Sequence, residues 1–220
     1  MWLLCPSLPE TGHRGDWMKC NVLLVGVGGQ GVLLAARVIG ECALCQGHDV
    51  VMSEVHGMAQ RGGSVSAIVR FGDDVLSPLI PLGGADVIIA FEPVEMYRSL
   101  PFAKISTKII SDTSSVVPMS VTSGGVEYPS TDELIGNARK AGLSVLAFDA
   151  TSLAKSVGSS LAGNSVLLGA VAEVGVLSLS KESLLATLID AVPDRHLDMN
   201  KRAFELGSEA AKRPLSLIPP

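Results

Sequence analysis

Val22-Leu23-Leu24-Val25 runs directly into Gly26-Val27-Gly28-Gly29-Gln30-Gly31, and Val32-Leu33-Leu34-Ala35-Ala36-Arg37-Val38-Ile39 follows. An apolar strand, a glycine turn and a helix start together make a ready anion site. Free main-chain N–H groups and the positive end of the helix dipole both favour phosphate there. Gly26, Gly28 and Gly31 fill the three places of Gly-x-Gly-x-x-Gly, with Gly29 and Gln30 between them. Glycine at these places lets a backbone approach a pyrophosphate and lets the helix pack close to the strand. Glu54, at the end of the next expected strand, stands near where a ribose-binding carboxylate belongs. On these residues alone three readings are open: a nicotinamide or flavin site, a site for another phosphate ligand, and a tight turn without a ligand.

A second stretch, Glu54-Val55-His56-Gly57-Met58-Ala59-Gln60-Arg61-Gly62-Gly63-Ser64, is dense in groups that bind or orient. It is expected at the carboxyl end of the second strand, beside the glycine turn, where open α/β sheets take their ligands. Arg61 offers a planar fork for carboxylate or phosphate. His56 could donate, accept or carry a proton, and is the one acid–base candidate we single out. The plainer readings are a surface ion pair for Arg61 and a loop cap for His56. Of the four cysteines, Cys42 and Cys45 have metal-like spacing but fall inside the first expected helix, with no second pair to complete a cluster. They read as packed helix cysteines, and no metal site is expected.

These residues need elements to position them, and the pattern alternates strands and helices, which predicts an α/β, Rossmann-like fold with a mostly parallel sheet flanked by helices. A helix is expected from Gly31 to Gln46, stopped by Gly47. Strands follow over 49–54 and 64–71, the latter with Val65, Ala67 and Val69 on one face. Asp86 to Phe91 reads as a buried strand, and Glu92-Pro93 opens a short helix. Lys108 to Ser111 and Ser144 to Phe148 read as further strands, with loop over 113–131 and a helix from Thr131 to Gly142. The last third reads as helical, with starts at Asn164, Ser180 and Asp194 and a stop at Pro214. Residues 1–19 read as a disordered extension, Met18 being a natural start, and 20–213 as one domain.

The whole chain bounds what the site can be. Of 220 residues, 47% are hydrophobic and 18% charged, and the net charge is -5. Soluble domains usually carry about a quarter charged residues; the deficit suggests apolar surface that a partner subunit covers or, more plainly, a well-buried core. The acidic balance and the lack of a basic stripe argue against a nucleic-acid partner. The longest apolar run, 166–177, is broken by Glu173 and too short to cross a bilayer. No secretory pattern opens the chain, so a cytoplasmic location is expected.

Three stretches carry a more specific resemblance: Gly26-Val27-Gly28-Gly29-Gln30-Gly31, the loop Glu54 to Gly63, and Ala85-Asp86-Val87-Ile88-Ile89-Ala90-Phe91-Glu92-Pro93-Val94-Glu95. In this order they resemble the gamma-type domain of 2-oxoacid:ferredoxin oxidoreductases, in the indolepyruvate branch. Asn164-Ser165-Val166-Leu167-Leu168-Gly169 resembles that family's late helix start, and the likeness covers roughly residues 20–210. It implies a complex that oxidatively decarboxylates a 2-oxoacid such as an aryl pyruvate, passes the acyl group to coenzyme A and sends electrons to ferredoxin. It also implies that thiamine diphosphate and iron–sulfur clusters lie in a larger partner subunit. This chain lacks a Gly-Asp-Gly with downstream paired asparagines and lacks ferredoxin-type cysteine runs. What the resemblance leaves for it is closure of the assembly and part of an anion site, with coenzyme A as the candidate ligand. Gly28, Gly29, Gln30 and Gly31 would supply N–H groups and Arg61 positive charge, and Gly26, Glu54, Gly62, Gly63 and Asn164 complete the candidate set. Two other readings stay open. One is a partner loop filling the turn in a purely structural subunit. The other is a free-standing nicotinamide or flavin enzyme, for which no Tyr-x-x-x-Lys pair is present.

Overall fold

The computed structural model describes residues 19–57, 63–117 and 128–212. Met58, Ala59, Gln60, Arg61 and Gly62 lie outside the described residues, as do the expected N-terminal extension up to residue 18 and the Pro214 stop. His56 is described in its backbone alone. Among the described residues one six-stranded sheet carries seven α-helices. The strands are β1 (Cys20–Val27), β2 (Asp49–His56), β3 (Ser64–Gly72), β4 (Ala85–Ala90), β5 (Ala103–Asp112) and β6 (Ser144–Phe148). The helices are α1 (Val32–Cys45), α2 (Pro93–Ser99), α3 (Thr131–Lys140), α4 (Ala150–Ser156), α5 (Gly163–Val174), α6 (Lys181–Ala191) and α7 (Leu197–Lys212).

The strand order is β2-β3-β1-β4-β5-β6. The β1–β4, β4–β5 and β5–β6 pairs are parallel, as expected from alternating strands and helices. The departure is at β3, which runs antiparallel to both β1 and β2 and stands between them. The physical reason is the short connection: residues 57–63 cannot make the crossover a parallel neighbour needs, so β3 folds back on β2 as a hairpin. β2 also runs on to His56, past the expected end at Glu54.

Alternation along the strands builds two cores. Val22 and Leu24 of β1, Val65, Ala67, Val69 and Phe71 of β3, and Val87 and Ile89 of β4 face α1 and the four C-terminal helices. Leu23, Val25, Ile88, Ala90 and Ile109 face α2 and α3 through Met96, Leu134, Ile135 and Ala138. Strands buried on both faces read as continuous apolar runs, which is why β1 and β4 were legible. Helix α4 was not expected. It is a single two-turn segment whose signal is Asp149, which caps it by accepting the Ser152 N–H at 2.7 Å.

Helix α5 is apolar nearly all round and sits at the centre of its layer. It crosses α7 at two glycines. A Cβ on Gly169 would stand 1.9 Å from the Phe204 carbonyl oxygen, and one on Gly207 1.8 Å from that of Val166. Neither obstacle is a side chain that can swing away. Lys181 ties the same bundle by donating to Glu173 and Ser208 at 2.7 and 2.5 Å. Gly169→Ala or Gly207→Ala must therefore spread the helices. Each is expected to cost about 1–3 kcal/mol or more, a fall in melting temperature of about 2–4 °C per kcal/mol. A thermal melt with an unchanged midpoint would contradict this contact.

Candidate functional site

α1 lies on one face of the sheet and α2 on the other, so the connections leaving β1 and β4 part at their carboxyl ends. In open α/β sheets that parting makes a ligand crevice. Here its floor is closed by the Gln30 side chain. Val27 N–H donates to Gln30 Oε1 at 2.8 Å, and Gln30 Nε2 donates to the Phe91 carbonyl at 2.8 Å. One amide thus caps the last N–H of β1 and the first free carbonyl beyond β4. Gly26 is the residue that makes room for it: a Cβ there would meet Gln30 Oε1 at 2.8 Å, Phe91 Cβ at 2.8 Å and Val32 Cγ2 at 2.9 Å.

The turn itself is a β-turn closed by Gln30 N–H on the Val27 carbonyl at 3.2 Å, with Gly29 at φ +101°. Gly31, at φ +80°, enters α1 with no capping side chain, and Ala35 N–H donates to its carbonyl at 3.1 Å. Both angles belong to the left-handed region that favours glycine. Gly28 N–H donates to the Gly63 carbonyl at 2.9 Å. This narrows the donor set read from the sequence, because the amides of Gly28 and Gln30 are spent within the fold. Among the described residues, no acceptor meets the amides of Gly29 and Gly31, nor those of Val32, Leu33 and Leu34 in the first turn of α1.

Asn164 comes to the same point from the far end of the chain. It is 4% exposed, and its Nδ2 stands 2.5 Å from where a Cβ of Gly31 would be. Its Oδ1 is held by Ser165 N–H at 2.8 Å, which turns the NH2 group toward Gly31, and no described acceptor takes that NH2. Ser165 in turn donates to Asn200 at 2.7 Å, and Asn200 to the His196 carbonyl at 2.8 Å, so the asparagine is fixed by α7 as well as α5.

The structure therefore brings together Gly26, Gly28, Gly29, Gln30, Gly31, Gly63 and Asn164. It does not bring Glu54 in as a ribose-binding carboxylate would require. Glu54 pairs with Ala67, which pairs with Leu24. With β3 intervening, its strand lies about 10 Å from β1, two interstrand spacings, and Glu54 aligns three residues before the end of that strand. Arg61 and Gly62 belong to the segment outside the described residues.

Sequence reasoning missed a buried carboxylate pair. Glu92, 1% exposed, caps α2 by accepting Val94 N–H at 2.8 Å and Glu95 N–H at 3.0 Å, and its other oxygen takes the Tyr128 hydroxyl. Burial, and then the Glu92 carboxylate, push the Tyr128 phenol well above its ordinary range. Glu95, 6% exposed, accepts from Arg98 at 2.6 Å and from the Ser64 hydroxyl at 2.6 Å. The Glu92-Pro93 pair signalled a helix start, but nothing local to the sequence showed that Glu95 would reach β3. At the carboxyl ends of β5 and β6 stand Asp112 and Asp149. Burial raises Asp112 above the usual carboxylate range despite bonds from Thr151, Ser114 and Ala150. Burial also raises Asp149, but the hydrogen bonds from Ser152 and Ser114 outweigh it and hold that group low. Among the described residues no three His, Cys, Asp or Glu side chains gather as a metal cluster would need. No described helix is long and apolar enough to cross a membrane.

Residues 21–210 match the pyruvate ferredoxin/flavodoxin oxidoreductase family. The chain belongs to this family. It is 42% identical over 198 residues to the indolepyruvate oxidoreductase subunit IorB of Thermococcus kodakarensis, covering 90% of this chain and 98% of that one. It is also 42% identical over 199 residues to the IorB subunit of Pyrococcus horikoshii, with the same coverage. Among solved structures, the keto/oxoacid ferredoxin oxidoreductase gamma subunit of Geobacter sulfurreducens is similar with a TM-score of 0.63 at 25% identity, covering 87% of this chain and 98% of that one. The gamma-type resemblance read from the three motifs is thereby shown, and with it the fold class. The chain is a small subunit within this family of oxidoreductase complexes, and nothing favours the free-standing nicotinamide or flavin enzyme.

Two outcomes follow from the geometry. Gln30→Met keeps the length but leaves Val27 N–H and the Phe91 carbonyl without their partner; unfolding in urea should show a loss of about 1–3 kcal/mol. Full stability in that variant would mean the bridge is dispensable. Burial pushes the Cys20 thiol up to about 12 and the Cys42 thiol up to about 11. Both should resist iodoacetamide at pH 8 in the native protein and label readily once it is unfolded, as mass spectrometry of the peptides would show; fast native labelling would refute the packing around them.

Proposed function

We propose that this chain is the thiamine-free small subunit of an indolepyruvate-type 2-oxoacid:ferredoxin oxidoreductase, and that its glycine turn forms one wall of an anion site for coenzyme A. The branch rests on the 42% identity to IorB subunits over nearly their whole length. The observation that carries the site is that the amides of Gly29, Gly31 and the first turn of α1 meet no acceptor among the described residues, with the Asn164 NH2 group set against Gly31. Five backbone donors and one side-chain donor, with no described acceptor, suit phosphate oxygens.

Arg61 supplies the charge. It stands two positions before Gly63, whose carbonyl receives the Gly28 N–H. Its guanidinium fork suits phosphate. Closure of the crevice by Gln30 favours an anion held at the rim over a dinucleotide laid across the sheet.

In this reading the chain performs no bond-making of its own. Thiamine diphosphate, held by the larger partner, supplies the carbanion chemistry, and iron–sulfur clusters carry the electrons to ferredoxin. The residues of this chain bind and orient the thiol carrier, which converts an encounter into a positioned reactant. His56 is left without an assigned proton transfer. The soluble setting of such a complex is the cytoplasm, with no membrane or nucleic-acid partner.

Purification from the native host should recover this chain with a larger thiamine- and cluster-bearing subunit, active on indolepyruvate in preference to pyruvate. In that complex Arg61→Ala should raise the KM for coenzyme A roughly tenfold, the weight of one charge-assisted contact, with the KM for the 2-oxoacid unchanged. A chain that purifies alone and turns over substrate, or an Arg61→Ala complex with unaltered kinetics, would defeat the proposal.

A further inference from the structure

We propose that Glu95 is a positioning residue for the glycine turn, acting through Ser64 from the first turn of α2. The inference rests on the reading of that turn as the anion-holding wall.

Ser64 is the first residue of β3 and sits against Val27, the last residue of β1. It follows Gly63, whose carbonyl receives the Gly28 N–H at 2.9 Å, and its own carbonyl receives the Gly57 N–H at 2.8 Å. One residue therefore sets both stems of the β2–β3 hairpin tip, and with them the acceptor that pins the turn. Its hydroxyl donates to Glu95 at 2.6 Å. Helix α2 is thus bolted to the hairpin across the end of β1.

Glu95 is poorly explained as a stabilising residue alone. Glu92 already satisfies the first-turn amides of α2, so Glu95 is not needed as a cap. A carboxylate 6% exposed pays a desolvation cost that an apolar side chain would avoid. Both of its oxygens are engaged, one by Ser64 and the other by Arg98 at 2.6 Å, and its own amide is held by Glu92, so it has little freedom to drift. What the arrangement provides is a fixed acceptor for the Ser64 hydroxyl. The turn is then held from the end of β4 and from α2 by two routes: Phe91 through Gln30 to Val27, and Glu95 through Ser64 and Gly63 to Gly28. A shift of about 1 Å in such a wall is enough to weaken the hold on a reactant markedly.

The test is steady-state kinetics of the assembled complex with coenzyme A and the 2-oxoacid varied in turn, alongside thermal melts. Ser64→Ala and Glu95→Ala should each raise the KM for coenzyme A roughly tenfold, leaving kcat and the 2-oxoacid KM in place. Together they should do no more than either alone, because they break one link. Glu95→Gln, which keeps an oxygen for Ser64, should restore the KM to within about twofold of the parent. A merely structural role would lower the melting temperature and depress both substrates alike, and that pattern would overturn the proposal. If Arg61→Ala raises the coenzyme A KM while Ser64→Ala and Glu95→Ala do not, the positioning role fails and the anion site stands. If none of the three moves it, both fail. Should Glu95→Ala not assemble, Ser64→Ala, which removes a single hydroxyl, decides alone.

Discussion

Gln30 reaches back from the turn to join the end of β1 to the end of β4, and the arrangement of the site depends on that bridge. Two parallel strands whose connections leave on opposite faces must part at their carboxyl ends, exposing an N–H on one and a carbonyl on the other. Water or a ligand could satisfy both groups; here a side chain from the chain's own turn does so. That choice dictates the rest. Gly26 must lack a Cβ because the amide passes over it, and Val32 can then pack against the same spot as α1 begins. Among the described residues the Gly29 and Gly31 amides meet no acceptor, and the Asn164 NH2 group stands against Gly31.

The same constraint distinguishes this site from the dinucleotide folds whose glycine spacing it shares. In those folds the second strand neighbours the first and its terminal carboxylate reaches the ribose. Here β3 occupies that neighbouring place, held by an eight-residue antiparallel register with β1 and by the Gly28–Gly63 bond. Glu54 is carried outward, and Gly63, just before β3, stands beside the turn. A glycine fingerprint reports a tight strand-to-helix connection; what the connection holds is decided by the strand inserted next to it.

Much of this was legible in the residues themselves. β1 and β4 are buried on both faces and so read as unbroken apolar runs, and Gly31 and Gly47 bracket α1 as start and stop signals. The three motifs, in order, sufficed for the family. What was hidden depends on contacts between distant residues. The short 57–63 connection already dictates that β3 folds back on β2, but that β3 would insert between β1 and β2 has no local signal. That Gln30 would fold inward to Phe91, 61 positions away, has no local signature. Glu95 gave no sign of facing Ser64 because both sit in stretches whose neighbours dominate the pattern: a proline helix start and a strand of alternating apolar residues. Asn164 was picked out through resemblance, and the reason for its place, the open face of Gly31, is visible only once α5 is seated against α7.

The central claim is that the turn holds an anionic part of coenzyme A within an assembled complex. Electron cryomicroscopy of that complex with coenzyme A present tests it most directly. The account predicts density for a phosphate group within hydrogen-bonding distance of the Gly29 and Gly31 amides and the Asn164 side chain. Coenzyme A bound elsewhere, with the turn filled by a loop or carboxylate of the partner subunit, would contradict it.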